Sequence, residues 1–534
     1  MEKSFSLIIK NGTVVDGTGS PARQLDLAIK GYKIAFMGKL DDRGTAVPCP
    51  CIDATGLIVA PGFIDAHSHS DFLCLIEPKS QSKVLDGVTT EICGNCGSSP
   101  FPLSEKTYMR KQEGYKKYEL EIDWRDAQGF FNRLKDTPSS INRGFLVGHG
   151  SIRDFIISYE ARNPTQEELS RMKEELIKAL EAGALGLSSG LIYPPGCFAS
   201  TEELVELCKI VAKKGGVYTT HMRDEGDKLS EAVGEALEIA RQSGVSLEIS
   251  HLKTSGQRNW PKLEAVIRLL EEASSQGIKV SCDRYPYIAA ATDLGVLLPR
   301  WVQEGGIEKV MERLTHPPTR KKIVQEILEG RRSHSGGNNW DSIVISAVHS
   351  PDREELEGKG LGQLATLLGK PPVEVALDLL VEEEGRVWVL LFSMSEENLE
   401  KILPLPFVCI GSDSSLRARE GPLSEGKPHP RAYGTFSRIL GRYVREKGIL
   451  SIEGAIHKMT GQPAQKFGLN TRGLLKEDYF ADVTIFNPGK VIDRATFLQP
   501  HEYSAGIEYV FVNGRLTVDK GHHTGATCGA VLKH

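Results

Sequence analysis

The sequence predicts an α/β fold, a (β/α)8 TIM-like barrel with a small β-sandwich built from both chain ends, on three observations. Short apolar runs alternate with segments whose apolar residues recur every three or four positions, as in Glu167 to Ala182 and Ser230 to Ser243, the pattern of repeated βα units. Eight such runs can be picked out, the middle ones starting about thirty residues apart, one βα unit each. The first and last stretches of about sixty residues instead read as strands and turns.

At the amino end the strands are Ser6 to Lys10, Thr13 to Asp16, Leu27 to Lys30 and Lys33 to Met37, with an Asn-Gly turn at Asn11 and Gly12. The barrel strands are Phe63 to His67, Thr89 to Cys93, Gly144 to His149, Ala184 to Ser188, Val217 to His221, Leu247 to His251, Lys279 to Asp283 and Phe407 to Asp413. The long gap before the last of these makes residues 294–404 an insertion between strands seven and eight. It contains His316-Pro317-Pro318 and Ser335-Gly336-Gly337-Asn338-Asn339, and it suits a cap over the barrel mouth. Ala481 to Phe486, Gly506 to Val512, a second Asn-Gly turn at Asn513 and Gly514, and Arg515 to Val518 close the chain. The expected division is residues 1–60 with 472–534 as the sandwich and 61–471 as the barrel.

Composition narrows the class. Of 534 residues, 40% are hydrophobic and 25% charged, which excludes a disordered or fibrous chain. Lys plus Arg at 65 against Asp plus Glu at 70 leaves a charge of −5 and no pull toward nucleic acid or a membrane surface. Ten cysteines are too sparse for a disulfide scaffold, the chain opens without a secretory apolar core, and no run nears the length of a membrane helix. A soluble cytoplasmic protein is expected, and charge points to no partner class.

Five of the eight strands end in, or run into, a residue of metal-ligand type, and a barrel's active site forms at the carboxyl ends of its strands. His67 and His69 are two apart, so both imidazoles face one side of an extended chain. A lone His-x-His is weak evidence, since histidine pairs also occur in cores and on surfaces. The second strand runs Glu91-Ile92-Cys93-Gly94-Asn95-Cys96. Cys-x-x-Cys suggests a redox pair or half a structural zinc site, but no second Cys-x-x-Cys occurs and no thioredoxin-like unit surrounds it. The preferred reading has Cys96 as a thiolate ligand and Cys93 packed in the strand. His221, His251 and Asp413 end the fifth, sixth and eighth strands. Each alone has a bland explanation as a hydrogen-bonded core residue; five coincident strand ends do not.

These positions resemble the amidohydrolase superfamily. Gly94-Asn95-Cys96-Gly97, Gly186 to Gly196, Tyr285-Pro286-Tyr287 and His429 to Phe436 are similar to its D-aminoacylase (N-acyl-D-amino-acid deacylase) branch, over nearly the whole chain. The resemblance implies zinc held tightly by Cys96, His221 and His251, with His67, His69 and Asp413 lining a second, weaker or empty metal position and the thiolate able to bridge both. Three protein ligands leave a coordination site for water, whose pKa zinc lowers to about 7, so that hydroxide attacks the amide while Asp413 acts as general base and then acid. Ala184 to Leu191 contains no lysine, unlike the cyclic-amide hydrolases of the superfamily, where a carboxylated lysine bridges two metals.

The implied substrate is an N-acyl-D-amino acid, hydrolysed to a D-amino acid and a carboxylic acid. Lys253 resembles the carboxylate-binding lysine, on the same side as His251 if the strand stays extended; Tyr193 and either Tyr285 or Tyr287 match aromatic hydroxyl positions, although such tyrosines often only pack. Ala291 stands where a serine is expected, leaving Thr292 as a substitute. Arg300 lies near where an acidic side chain would be recognised, with a surface ion pair as its ordinary alternative. Two other readings compete: the same site acting on D-residue dipeptides or a cyclic amide, and a non-catalytic barrel. The last predicts a damaged ligand set, whereas all six positions hold competent residues.

Overall fold

The computed structural model describes residues 5–40, 49–330 and 339–534, so Ser335 to Asn338 of the expected insertion loop lie outside it. Eight strands run parallel in chain order: Phe63–Asp65, Val88–Cys93, Asn142–Gly148, Gly186–Gly190, Val217–His221, Ser246–Ile249, Val280–Arg284 and Val408–Ile410. The outer two meet: Ala66 N–H donates to Ile410 O at 3.3 Å and Asp413 N–H to His67 O at 2.8 Å. Helices lie between the strands. Gln166–Ala182 is typical: Thr165 and Glu168 form a capping box at its start, Gly183 ends it at φ 116°, and Met172, Leu176, Ala179 and Leu180 make its buried stripe.

All eight expected strands are present, with shifted ends. The fourth runs two residues later than expected, because Gly183 still closes the preceding helix. His149 begins a helix, His149–Ile156, instead of ending a strand. The eighth stops at Ile410, so Asp413 projects from the following loop.

Nine strands from the two chain ends form one sheet. Its seam is Ile58–Pro61 running antiparallel to Val483–Phe486, which joins amino-terminal strands to carboxyl-terminal ones. Period-two alternation gives the seam two buried faces: Val59, Val483 and Ile485 pack with Ile9 and Ile29, while Ile58, Ala60 and Phe486 pack with Phe63, Val88 and Phe436 of the parallel-strand body. The two Asn-Gly pairs behave differently. Asn513 and Gly514, both at positive φ, turn the hairpin between Ile507–Val512 and Arg515–Asp519. Asn11 and Gly12 instead form a bulge inside one continuous strand, Leu7–Val14, with Asn11 at φ 63°. Asp26 accepts the Asn11 N–H at 3.0 Å and the Val59 side chain fills the space over Gly12, so packing overrides the local turn preference.

Between the seventh and eighth parallel strands, Ala289–Asp293, Trp388–Phe392 and Ile343–Ala347 form a separate antiparallel sheet. It shares a core with the helices Ile307–Thr315, Leu361–Leu368 and Pro372–Glu382, including Leu294, Val310, Leu361, Leu379 and Val389. This unit therefore begins at Ala289, five residues before the expected boundary. Among the described residues no helix is long and apolar enough to cross a membrane.

Candidate metal centre

The expected ligands converge at the carboxyl ends of the parallel strands. Cys96 Sγ lies 3.3 Å from His67 Nε2, 3.6 Å from His251 Nε2 and 3.7 Å from His221 Nδ1. With Zn–S near 2.3 Å and Zn–N near 2.05 Å, a tetrahedral ion separates a sulfur from a nitrogen ligand by about 3.5 Å. The donor set and spacing thus fit zinc. Asp413 Oδ1 is 3.1 Å from His69 Nε2 and 3.5 Å from His67 Nε2, and the ligand atoms of His67, Cys96, His251 and Asp413 lie within 4.8 Å of one another.

Backbone conformation builds this convergence. Cys96, His251 and Asp413 all adopt left-handed φ, at 52°, 38° and 50°, which β-carbon residues occupy only when their surroundings impose it. Around Cys96 the turn is made by Gly94 and Gly97, whose added Cβ atoms would strike Leu146 O and Gly190 N, so the thiol approaches only through glycine. The turn at His251 also removes the extended geometry assumed for Lys253; Lys253 Nζ nevertheless folds back to 2.7 Å from His251 Nδ1.

A second layer of carboxylates holds the histidines, and sequence reasoning missed it. Asp283 Oδ2 is 2.9 Å from His67 Nδ1, while its Oδ1 accepts the His251 N–H at 2.9 Å. Glu225 Oε1 lies 2.9 Å from His251 Nδ1 and 2.5 Å from Lys253 Nζ, and Oε2 is 3.8 Å from His221 Nε2. Such partners fix tautomer and ring orientation. Asp283 was visible as the last residue of the seventh expected strand; Glu225, four residues after His221, carried no spacing signal of its own.

Below the site, Lys83 Nζ joins Asp65 Oδ2 at 2.9 Å, Ser412 Oγ at 2.9 Å and Ser414 O at 3.1 Å, all buried, while Asp65 Oδ1 accepts Ser412 N–H at 2.7 Å. This network ties the chain entering His67 to the loop that carries Asp413. Lys83→Met leaves Asp65 buried without its cation and is expected to cost about 3–5 kcal/mol in urea unfolding of the metal-free protein; a loss below about 1 kcal/mol contradicts this role.

Burial alone raises the Asp413 carboxyl, but Arg431, with NH1 2.9 Å from Oδ2, and then His251 and His69 hold it well below the usual carboxylate range. Burial likewise opposes Cys96 ionisation, and the surrounding His67, His221 and His251 bring its thiol well below its ordinary value. The site therefore presents an ionised carboxylate beside a thiol whose ionisation the surrounding histidines favour.

A cavity of about 640 Å³ opens over these groups, lined by His69, Cys96, His221, His251 and Asp413 and by Lys253, Tyr193 and Thr292. Tyr193 OH is 3.0 Å from Thr292 Oγ1, which places Thr292 beside Ala291 on the cavity wall. Trp388, Leu391, Ser346 and Ala347 bring the inserted unit into the wall as well. The two other expected tyrosines are not in its lining, although the Tyr285 ring centroid is 6.0 Å from Lys253 Nζ. Tyr287 OH donates to Asp493 Oδ2 at 3.4 Å, and Tyr285 is fully buried between the Arg284 and Arg431 guanidinium groups, each 4.4 Å from its ring centroid. Arg300 is exposed and outside the lining. Lys253, expected to require an anion beside the histidines, already meets one in Glu225.

Residues 51–193 and 403–518 match the amidohydrolase family. Over 533 residues the chain is 35% identical to a D-aminoacylase of Alcaligenes xylosoxydans xylosoxydans, covering 99% of this chain and 97% of the relative. A crystal structure of N-acyl-D-glutamate deacylase from Bordetella bronchiseptica, complexed with zinc and a phosphonate mimic of the tetrahedral intermediate, superposes with a TM-score of 0.83 at 32% identity, covering 100% of both chains. A D-aminoacylase structure, described as a binuclear metal centre with one-metal activation and second-metal attenuation, gives 0.82 at 33% identity over 99% of this chain and 100% of that one.

Proposed function

The chain belongs to the D-aminoacylase family of amidohydrolases, and we propose on that premise that it hydrolyses N-acyl-D-amino acids to a D-amino acid and a carboxylic acid. The observation that carries this reading is the Cys96 sulfur at tetrahedral spacing from His221 and His251, next to Asp413, in a cavity that Lys253 also lines. Cys96, His221 and His251 would hold the tight zinc, and His67, His69 and Asp413 would offer the second, weaker position. Bound there, zinc supplies Lewis-acid polarisation of the amide and a nucleophilic water at neutral pH.

The chain's own groups do the rest. Asp413 Oδ1 takes the proton of the attacking water, and the same carboxyl, kept in place by Arg431 on Oδ2, returns it to the departing nitrogen. With Nε2 left to the metal, His251 would carry its proton on Nδ1 and donate it in a hydrogen bond to Glu225. Nδ1 then has no lone pair for Lys253, so one ammonium N–H turns to the cavity, where the substrate carboxylate accepts it. Tyr193 and Thr292 add hydroxyl groups to that wall.

We read the eight parallel strands as a closed barrel, supported by the bonds between Ala66 and Ile410 and between Asp413 and His67. The single terminal sheet stands where a small β-sandwich was expected, and we read the unit from Ala289 as a cap whose residues shape the cavity.

Paired N-acetyl-D- and N-acetyl-L-amino acids assayed with zinc-loaded enzyme test the function, with turnover expected for the D series only. Lys253→Ala is expected to raise KM for these compounds by about ten- to a hundredfold, the loss of a charge-assisted hydrogen bond. Turnover confined to L-compounds, or to cyclic amides regardless of Lys253, contradicts the reading.

A further inference from the structure

The cavity, whose lining carboxylates Asp71, Asp154, Glu225, Asp293, Asp413 and Glu425 outnumber its lysines and arginines, still holds a cation that hydrolysis of a monocarboxylate does not use. Arg110, Lys111, Lys253, Arg417 and Arg431 all line it. Three of them are neutralised in place: Arg110 by Asp154 at 2.7 Å, Lys253 by Glu225 and Arg431 by Asp413. Lys111 donates from Nζ to Ser99 O at 3.1 Å and forms no ion pair with any described residue. Arg417 has less still. Its main-chain N–H is fixed on Ser82 Oγ at 3.1 Å, but its guanidinium makes neither an ion pair nor a hydrogen bond with any described residue. Glu425, which also lines the cavity, is engaged by Lys117 at 2.8 Å. Burial lowers the Arg417 pKa, with Tyr433, Tyr118 and Glu425 offsetting this only in part.

A half-buried guanidinium without an acceptor costs solvation free energy that an anion in the cavity would recover, and its planar fork fits a carboxylate through two parallel hydrogen bonds. Its position is separate from Lys253. Lys253 follows the sixth parallel strand, whereas Arg417 follows the eighth, with Leu416 and Ala418 packed on Leu73 and Ile76 of the loop after the first, and Lys111 lies on the helix Glu105–Tyr115 after the second.

We propose that the cavity recognises substrates with two carboxylates, the α-carboxylate at Lys253 and a second one at Arg417, with Lys111 adding charge on that side. The inference rests on the deacylase reading. The second carboxylate has two possible sources, an acidic D side chain or a dicarboxylic acyl group, and they make the same contact with Arg417.

Zinc-loaded full-length enzyme is assayed on N-acetyl-D-leucine, N-acetyl-D-glutamate and N-succinyl-D-leucine, as wild type, Arg417→Gln and Arg417→Lys. One of the two dicarboxylates is expected to exceed the neutral compound in kcat/KM by about tenfold or more, and which one identifies the source. Arg417→Gln is expected to lower that ratio by about ten- to a hundredfold, mainly through KM, with partial recovery in Arg417→Lys. A wild-type preference for the neutral compound, or a ratio unchanged by Arg417→Gln, overturns the proposal. If nothing is hydrolysed the deacylase reading fails, and calorimetry with succinate as the probe decides this one: binding weakened at least about tenfold in Arg417→Gln supports it, and equal or undetectable binding overturns it.

Discussion

Replacing Cys96 with serine is expected to strip the tight metal and nearly all activity from the protein. The substitution keeps the size and the left-handed turn that Gly94 and Gly97 permit, so the backbone at φ 52° has no reason to rearrange. What it removes is ionisation: a serine hydroxyl beside the histidines stays neutral, whereas the thiol is held as thiolate by His67, His221 and His251. Losing a partner that merely orients a ligand weakens metal binding by about ten- to a hundredfold, so losing the anionic ligand is expected to exceed about a hundredfold. Zinc content after dialysis measures it, alongside kcat/KM at limiting zinc. Cys93→Ser provides the contrast. Cys93 is fully buried in a cluster with Phe101 and Phe145, burial raises its thiol, and its loss is expected to lower thermal stability while leaving zinc stoichiometry intact. Equal zinc loss in both variants would revive a Cys-x-x-Cys metal site.

The ligands were legible because each sits where a repeating βα unit ends: His221 and His251 are thirty residues apart for the same reason that Thr220 pairs next to Ile249 across neighbouring strands. What could not be read are groups whose meaning arises only by pairing across the fold. Lys83 reaches Ser412 over 329 residues, and Glu225 finds Lys253 and His251 through the curl of two loops. Nothing local to His429-Pro430-Arg431 says that Arg431 faces Asp413. Tyr285-Pro286-Tyr287 likewise names two hydroxyl groups but not their surroundings: Tyr285 is packed between Arg284 and Arg431, and the Tyr287 hydroxyl is taken up by Asp493. The Asn11-Gly12 bulge fails for a related reason: a two-residue turn preference is worth less than the contact of Val59 with the strand above it.

Asp413→Asn is expected to separate proton transfer from metal retention. The amide is isosteric and still meets His69 and Arg431, but it takes no proton, and a positioned general base or acid typically contributes about 10²- to 10⁴-fold to rate. Because Asp413 acts at both ends of the reaction, receiving the proton of water and delivering it to the leaving nitrogen, kcat is expected to fall toward the upper part of that range. Zinc stoichiometry at the tight site is expected to stay at the wild-type level, since Cys96, His221 and His251 remain. The pH dependence carries a second signature. In the wild type Arg431, His251 and His69 keep the carboxyl ionised well below its ordinary range, so the base form persists as pH falls and Asp413 itself does not limit activity until acid reaches that lowered value. Arg431→Gln removes the leading stabilising charge, and its acidic limb is expected to move to higher pH, with kcat falling where the wild type is still fully active. Asp413→Asn protein that keeps its zinc and turns over substrate within about fivefold of wild type would show that another group moves the proton, and the ion pair with Arg431 would then be structural.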